Sequence, residues 1–195
     1  MDKITLRKSF LEQRESISEA KRLAKSKAIS ALIKSSDFFA GAKNIFCFIS
    51  FAEEPDTSEI IKMSLAAGKT ICVPRTGPDH DMEAVPIREY EYKAVADWPR
   101  RFGIPEPPVS LNPIDFSELD LVIVPSVAID VFGFRLGYGG GYYDSFIGKY
   151  TAAYKRPILV AIQFSEFLIQ EELPREAHDM RVDFIVSENG IFLPS

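Results

Sequence analysis

The chain of 195 residues reads as an α/β protein, a three-layer α/β/α sandwich around a mostly parallel, open, Rossmann-like sheet. Three observations predict this. Short, nearly all-apolar runs at 44–50 and 119–124 lack the polar alternation of a half-solvated strand, as expected for strands covered on both faces. These runs alternate with segments of helical periodicity, the order that builds parallel βαβ units with right-handed crossovers. A glycine-rich segment then follows a buried strand and leads into a helix, and ligands of open α/β sheets bind at such carboxyl ends. The length suits one domain spanning residues 1–195.

Each element has its own signal. Ile4, Leu6, Phe10, Leu11 and Ile17 recur at roughly helical spacing between charges, which predicts a first helix. Ser16 and Glu19 have capping-box spacing and place the start of a second helix near Ser18, running through Leu23, Ala24, Ala28, Ala31 and Leu32 toward Ser35. A strand follows at 44–50. Asp56 and Glu59 predict a capped helix running to Ala67 and closed by Gly68. Thr70 to Val73 is the next strand, stopped by Pro74. Residues 82–88 form a further strand. Between 76 and 118, Pro99, Pro105, Pro107, Pro108 and Pro113 exclude long regular elements, and Trp98 and Phe102 are expected to anchor the stretch to the body. Long loops of this kind are often functional. After the strand at 119–124, a helix is expected from about Gly140 to Lys149. Strands at 158–163 and 184–187 complete the sheet.

Composition narrows the function. Hydrophobic residues make up 46% of the chain, enough for a full core without a metal or disulfide staple. The net charge of −5 argues against a general nucleic-acid binder, which needs a basic face, but leaves room for one anionic ligand held by a local cluster of cations and amides. Cys47 and Cys72 each sit inside an apolar run and are read as buried, reduced core thiols without metal-ligand spacing. No apolar run approaches the ~20 residues that span a bilayer, and the charged N-terminus lacks a signal-peptide stretch. The expectation is a cytoplasmic protein with no membrane or nucleic-acid partner, and a monomer.

The segment 133–144, Gly-Phe-Arg-Leu-Gly-Tyr-Gly-Gly-Gly-Tyr-Tyr-Asp, holds five of the eleven glycines. Glycines permit close backbone approach, a helix N-terminus offers free N–H groups, and Arg135 adds an anion donor. Together these describe a phosphate cradle. It is not a Walker A loop, since no Gly-Lys-Ser/Thr follows. Nor is it the dinucleotide fingerprint, since Tyr142 stands where the third glycine belongs.

That segment resembles the signature of the 5-formyltetrahydrofolate cyclo-ligase (methenyltetrahydrofolate synthetase) family. The resemblance runs over essentially the whole chain. It takes in Lys3 and Arg7, the run from Glu54 to Thr57, the run from Gly103 to Pro107, and the run from His178 to Asp183. It implies an ATP-dependent enzyme that converts 5-formyltetrahydrofolate to 5,10-methenyltetrahydrofolate through an N5-iminium phosphate, releasing ADP and phosphate, with Mg2+ as cofactor.

Carried over by position, it implies that Lys3, Arg7, Arg135, Leu136, Gly137, Tyr138, Gly139, Gly140, Gly141, Tyr142 and Tyr143 bind ATP. Ile49, Glu54 and the stretch Tyr138, Gly139, Gly140, Gly141 and Tyr142 meet the folate. Asp144 and Asp179 hold the metal, and Arg135 and Tyr142 take the catalytic roles. Tyr138 and Gly140 depart from members that carry basic residues there, which shifts phosphate binding toward Arg135, backbone amides and magnesium. Phe51, Trp98 and Tyr142 are candidate walls for the pterin, and His178 is read as structural.

From the residues alone plainer readings stand. Lys3 and Arg7 suit a solvated helix face, Asp144 a helix surface and Asp179 a turn cap. The second functional reading is a nucleotide- or sugar-phosphate-binding protein on the same scaffold without cyclo-ligase activity, since such scaffolds host many functions. It would need the loop but not Glu54, Asp144 and Asp179 beside it.

Overall fold

A computed structural model describes residues 2–151 and 156–195. Helices α1 (Lys3–Glu15), α2 (Glu19–Lys34) and α3 (Asp37–Gly41) precede strand β1 (Asn44–Cys47). Then α4 (Ser58–Ala66) leads to β2 (Thr70–Thr76), which turns back as β3 (Met82–Ile87). Helix α5 (Glu89–Lys93) and the short strands β4 (Arg100–Arg101) and β5 (Ile104–Pro105) fill the middle of the chain. Next come β6 (Leu121–Val124), the hairpin β7 (Ala128–Asp130) and β8 (Arg135–Leu136), α6 (Tyr142–Thr151), β9 (Ile158–Ile162), β10 (Leu168–Ile169), β11 (Phe184–Ser187) and β12 (Gly190–Phe192).

The central sheet has the order β12-β11-β9-β6-β1-β2-β3. Its inner pairs β11·β9, β9·β6, β6·β1 and β1·β2 are parallel, while the edges β12 and β3 run antiparallel. From β1 the chain goes to β2 on one side and later crosses to β6 on the other. The crevice at the carboxyl ends of β1 and β6 is therefore a topological switch point, where ligands of open sheets bind.

Successive side chains of each inner strand feed opposite cores. Ile45, Cys47, Leu121, Ile123, Val160 and Ile162 join the cluster formed with α2, α3 and α4. Phe46, Val122, Val124, Leu159, Ala161 and Ile185 join the cluster around Phe146 and Ile147 of α6. Two-sided burial accounts for the unbroken apolar runs, and the sandwich expected from them is the one observed. Cys47 and Cys72 are free and buried, and burial raises both thiol pKa values, that of Cys72 to about 12.

Four local expectations need correction. Strand β1 ends at Cys47 rather than Ser50, because Thr57 takes over the backbone beyond it: its hydroxyl donates to the Phe48 carbonyl (2.8 Å) and accepts from the Ser50 N–H (3.1 Å).

Strand β2 runs through Pro74. Pro74 faces Ala84 and Pro86 faces Cys72, and the Ala84 carbonyl accepts from Ile114, outside the β2·β3 ladder. Both prolines thus occupy positions whose N atoms face away from the partner strand, where no ladder donor is lost.

The capping boxes do not form. The Ser16 hydroxyl donates to Gln13 (2.6 Å) and closes α1, while Asp56 accepts from the Ser58 N–H (2.8 Å) and Glu59 pairs with Lys62 (3.1 Å).

Trp98 is buried in the core as expected, but Phe102 is 70% exposed. Phe102 and Gly103 both have positive φ at the tip of the β4–β5 hairpin, which leaves the phenyl ring outside the core, with Tyr142 as its ring neighbour (6.4 Å between centroids).

Candidate active site

Four segments meet at the switch point: the start of α1, the loop after β1, the loop from β8 into α6, and residues 176–183. Arg135 lies at the end of the β7–β8 hairpin, whose turn is organised by buried Asp130, a carboxylate that accepts from Phe132 (3.1 Å) and Phe134 (2.9 Å). The Arg135 guanidinium is itself buried. It pairs with Asp144 Oδ1 (2.9 Å) and donates to the Met180 carbonyl (3.3 Å), while Asp144 Oδ1 also accepts from the Met180 N–H (3.0 Å). Asp144 falls in the first turn of α6, where the exposed amides favour an anion. Leu136, one residue on from Arg135, is buried in the core.

Lys3 straps the start of α1 to the same region, with Nζ 2.7 Å from Asp179 and 3.3 Å from Glu176. Burial opposes ionisation of Asp179, but the Lys3 bond, the Glu176 amide and the Lys3 charge outweigh it and pull its pKa below the ordinary value. For Lys3 too burial opposes the charge, and the two carboxylates outweigh it, so its pKa is raised.

One turn along α1, Arg7 Nε donates to the Gly137 carbonyl (2.7 Å). The Arg7 guanidinium lies over Gly139, where a Cβ would sit 3.4 Å from Arg7 Cζ. Its terminal nitrogens have no partner among the described residues, so they are donors presented across the loop. On the far side, His80 Nδ1 lies 2.6 Å from the Gly140 carbonyl. The rings of His80 and Phe102 pack on Tyr142 at 5.7 and 6.4 Å between centroids.

The other half of the crevice is apolar with one carboxylate. Half-buried Ile49 packs on the core at the exit of β1. Phe51 is exposed and lies against Gly103, leaving no room there for a Cβ (2.9 Å). Glu54 accepts from the Phe51 N–H (2.9 Å). Burial raises the Glu54 pKa more than hydrogen bonding and the Arg14 charge lower it. The Tyr143 hydroxyl is buried and has no hydrogen-bond partner among the described residues, and burial raises its pKa well above the ordinary value.

The structure therefore brings together Lys3, Arg7, Arg135, the glycine run, Asp144 and Asp179, while Glu54 is held within the loop after β1 by the Phe51 N–H. Trp98 belongs to the core rather than to a pterin wall. His178 is exposed, with Nε2 3.4 Å from Glu176.

The two aspartates fit a hard cation. Asp144 Oδ2 and Asp179 Oδ1 carry no bond among the described residues, while their other oxygens are held by Arg135, Met180, Lys3 and Glu176. No cluster of three or more potential metal ligands occurs among the described residues. Two monodentate carboxylates suit an ion such as Mg2+, which keeps several waters and is completed by phosphate oxygens.

Sequence reasoning missed Arg14, His80 and the position of Phe102. Arg14 had a readable signal: with Lys3 and Arg7 it lies on one face of α1, at spacings of four and seven residues. His80 and Phe102 had none, since both are set by positive-φ turns.

A mostly parallel sheet whose switch point carries a glycine loop beneath cationic side chains defines an open-sheet α/β protein, with that loop where ligands of such sheets bind. The particular family follows from comparison with known proteins. The chain belongs to the 5-formyltetrahydrofolate cyclo-ligase family, whose sequence profile matches residues 1–188. It is 31% identical over 186 residues to the 5-formyltetrahydrofolate cyclo-ligase of Saccharomyces cerevisiae, covering 86% of each chain. It is 28% identical over 191 residues to the mouse protein of that name, covering 95% of this chain and 93% of the other. The solved 5,10-methenyltetrahydrofolate synthetase of Aquifex aeolicus superposes with a TM-score of 0.80 at 28% identity, over 99% of this chain and 93% of that one. The family expected from residues 133–144 is thus the one found.

Proposed function

We propose that this chain is an ATP-dependent ligase that converts 5-formyltetrahydrofolate to 5,10-methenyltetrahydrofolate, releasing ADP and phosphate. The observation that carries the reading is the glycine loop held by Arg7 at the Gly137 carbonyl, beside the Arg135–Asp144 pair, in a chain of the cyclo-ligase family.

In this reading the loop amides of residues 137–141, together with Lys3, Arg7, Arg135, Leu136, Tyr142 and Tyr143, bind ATP. Glu54 accepts from the N–H groups of the pterin, and Ile49 with the stretch from Tyr138 to Tyr142 lines its pocket. The formyl oxygen attacks the γ-phosphorus and the bond to ADP breaks. N10 then closes on the activated carbon, loses its proton, and the phosphate leaves with the former formyl oxygen. An amide-like oxygen leaves poorly until phosphorylated, and phosphoryl transfer needs positioning and charge neutralisation more than a protein nucleophile. Tyr142 is held between His80 and Phe102 and orients the folate over the loop. Arg135 acts by fixing Asp144 and residue 180 beneath the phosphates. A Mg2+ ion held by Asp144 and Asp179 would neutralise phosphate charge. Work as a cytoplasmic monomer, without nucleic-acid or membrane partners, completes the proposal.

The test mixes the purified protein with 5-formyltetrahydrofolate, magnesium and ATP and follows methenyltetrahydrofolate by its near-ultraviolet absorbance. An ATP-dependent rise is expected. ATP binding without that rise would favour a nucleotide-binding protein on the same scaffold and overturn the reading.

A further inference from the structure

We propose that Arg14 is a positioning residue for ATP, which fixes the glycine loop through the Tyr138 hydroxyl before the nucleotide arrives. The inference rests on the ATP-binding role given to that loop above.

Residues 137–141 read Gly-Tyr-Gly-Gly-Gly, so Tyr138 is the one side chain by which the stretch can be held. Glycine loses more freedom on ordering than any other residue, and a loop ordered only on binding subtracts that loss from ligand affinity. Gly139 and Gly141 also hold positive φ. The backbone is caught at two carbonyls, Gly137 by Arg7 (2.7 Å) and Gly140 by His80 (2.6 Å). Between them, the Tyr138 hydroxyl lies 2.8 Å from Arg14 Nη1. Arginine only donates, so the phenol oxygen accepts. The Tyr138 residue is 45% exposed, and packing alone does not hold its ring.

Arg14 is an unusual choice for the place it fills. It is 1% exposed and forms no ion pair among the described residues. Its charge is met by the carbonyls of Ser126 (2.8 Å) and Val127 and by the face of Phe167, whose centroid is 5.2 Å from the guanidinium carbon. Its Nε has no partner among the described residues. A buried cation without a carboxylate is costly, and an apolar side chain of similar volume often serves stability as well or better. Packing therefore does not account for an arginine here. Its reach to Tyr138 does.

The anchor point is firm. Ser126 and Val127 stand at the exit of β6, and the Val127 N–H donates to the carbonyl of Leu136, the last residue of β8 (2.7 Å). Arg14 thus ties the side chain of residue 138 to backbone bonded to residue 136, across the point where the loop leaves the strand. Two helical turns separate Arg14 from Arg7, which grips Gly137 from the same face of α1. That face sets the path of the loop at its start, and the glycines that follow inherit it.

The test uses Tyr138→Phe, which keeps the ring and removes only the link, and Arg14→Met, which removes the other partner. Amide 15N relaxation of the free protein reads the order of residues 139–141, and calorimetry reads the affinity for ATP with magnesium. Order parameters of about 0.85 are expected in the wild type, falling below about 0.6 in each variant. ATP affinity should weaken about tenfold in each, the loss of one charge-assisted hydrogen bond. The double variant should bind no more weakly than the poorer single one, because both act through one contact. Arg14→Met should melt within about 4 °C of the wild type, since Gln163 also donates to the carbonyls of Ser126 (2.8 Å) and Val127 (3.1 Å) and leaves neither bare. If Arg14→Met fails to fold, Tyr138→Phe decides alone. Unchanged ATP affinity in Tyr138→Phe overturns the proposal. Weakened affinity with unchanged order parameters does so too, since the hydroxyl would then meet the nucleotide itself, and so does full additivity of the two substitutions. A wild type that binds ATP but forms no methenyltetrahydrofolate overturns the proposed reaction alone, and ATP affinity still reads the anchor. A wild type that binds no ATP overturns both.

Discussion

Gly137, Gly139 and Gly141 lie in one loop, yet their backbones differ in what they demand. Gly137 has no positive φ and nothing within 4 Å of a built Cβ. Alanine fits there without strain and reduces the freedom of the unfolded chain, so Gly137→Ala should leave stability unchanged or raise it by roughly 0.4–1 kcal/mol. Gly139 has φ +100, and its Cβ would meet Arg7 Cζ at 3.4 Å and Nη1 at 3.5 Å. Gly139→Ala therefore carries backbone strain of roughly 1–3 kcal/mol and displaces the guanidinium as well. Gly141 has φ +66 with open space around it, so its alanine costs about 1–2 kcal/mol and moves nothing else. At this chain length each kcal/mol is about 2–4 °C in Tm.

Thermal melts and ATP titrations of the three variants separate fold from function. Gly137→Ala should melt at or above the wild type yet raise the ATP KM about ten- to hundredfold, because a methyl group keeps a phosphate oxygen from the backbone at a cost of about 1.5–3 kcal/mol. Gly139→Ala should lose both stability and ATP affinity, and Gly141→Ala mainly stability. A normal ATP KM for Gly137→Ala would refute the phosphate cradle, and an unchanged Tm for Gly139→Ala would refute the strain argument.

Other predictions test single groups. Glu54 has a folded pKa above its ordinary 4.5, so its ionisation opposes folding once the pH exceeds that value. Glu54→Gln should raise Tm by a few degrees at pH 8, with the gain vanishing toward pH 4, while folate turnover collapses; a lower Tm at pH 8 would contradict the burial argument. Tyr143→Phe deletes a buried hydroxyl without a partner among the described residues, so it should stabilise the free protein by up to about 1–3 kcal/mol in a denaturant melt. A loss of stability there would mean the hydroxyl is hydrogen-bonded after all. The depressed pKa of Asp179 makes its strap with Lys3 stabilising above pH 3.8 and lost as the pH falls below it. The raised Lys3 pKa keeps the strap intact until the pH passes 10.5. Asp179→Asn should flatten the acid limb of a Tm–pH profile by up to about 1 kcal/mol, and an unchanged limb would show that the strap contributes nothing.

How much of this was legible depended on whether a feature is local. The α/β class was, because strands buried on both faces must be apolar throughout, as Leu121 to Val124 are. The end of β1 was not, because it is set by Thr57 ten residues beyond Cys47, whose hydroxyl substitutes for a neighbouring strand. Pro74 reads as a stop in sequence, yet only the register against Ala84 tells whether its missing N–H was needed. Phe102 reads as an anchor because it is apolar, and its exposure follows from a turn with positive φ at two adjacent residues. In the site, residue type was legible and availability was not. Arg135 looks like a free anion donor until its pairing with Asp144 and Met180 is seen, and Arg14 looks like a solvated helix charge until the carbonyls at the β6 exit are found to need it.

This redistribution of cations bears on the two positions where the sequence departs from the expected basic pattern, Tyr138 and Gly140. Neither site lacks a basic neighbour. Arg14 stands directly behind Tyr138, and the His80 ring lies against the Gly140 carbonyl. The two replacements are not equivalent. Arg14 is buried, and its guanidinium is taken up by the Tyr138 hydroxyl and the carbonyls of Ser126 and Val127. His80 is exposed at the rim beside Tyr142. Arg135 is occupied by Asp144, which leaves Arg7, with its terminal nitrogens unpartnered above Gly139, as the guanidinium best placed to meet phosphate oxygens. Of the two arginines expected at the ATP site, Arg7 thus presents its guanidinium directly, and Arg135 is tied to Asp144 and Met180. Arg7→Ala should raise the ATP KM about tenfold or more with little change in Tm, since a half-exposed side chain making one bond to Gly137 contributes little to folding. Arg135→Ala should lower Tm as well as activity, because it leaves the Asp144 carboxylate facing Met180 without its cation. Equal effects of the two substitutions on Tm would show that Arg135 is not the buried structural cation described here.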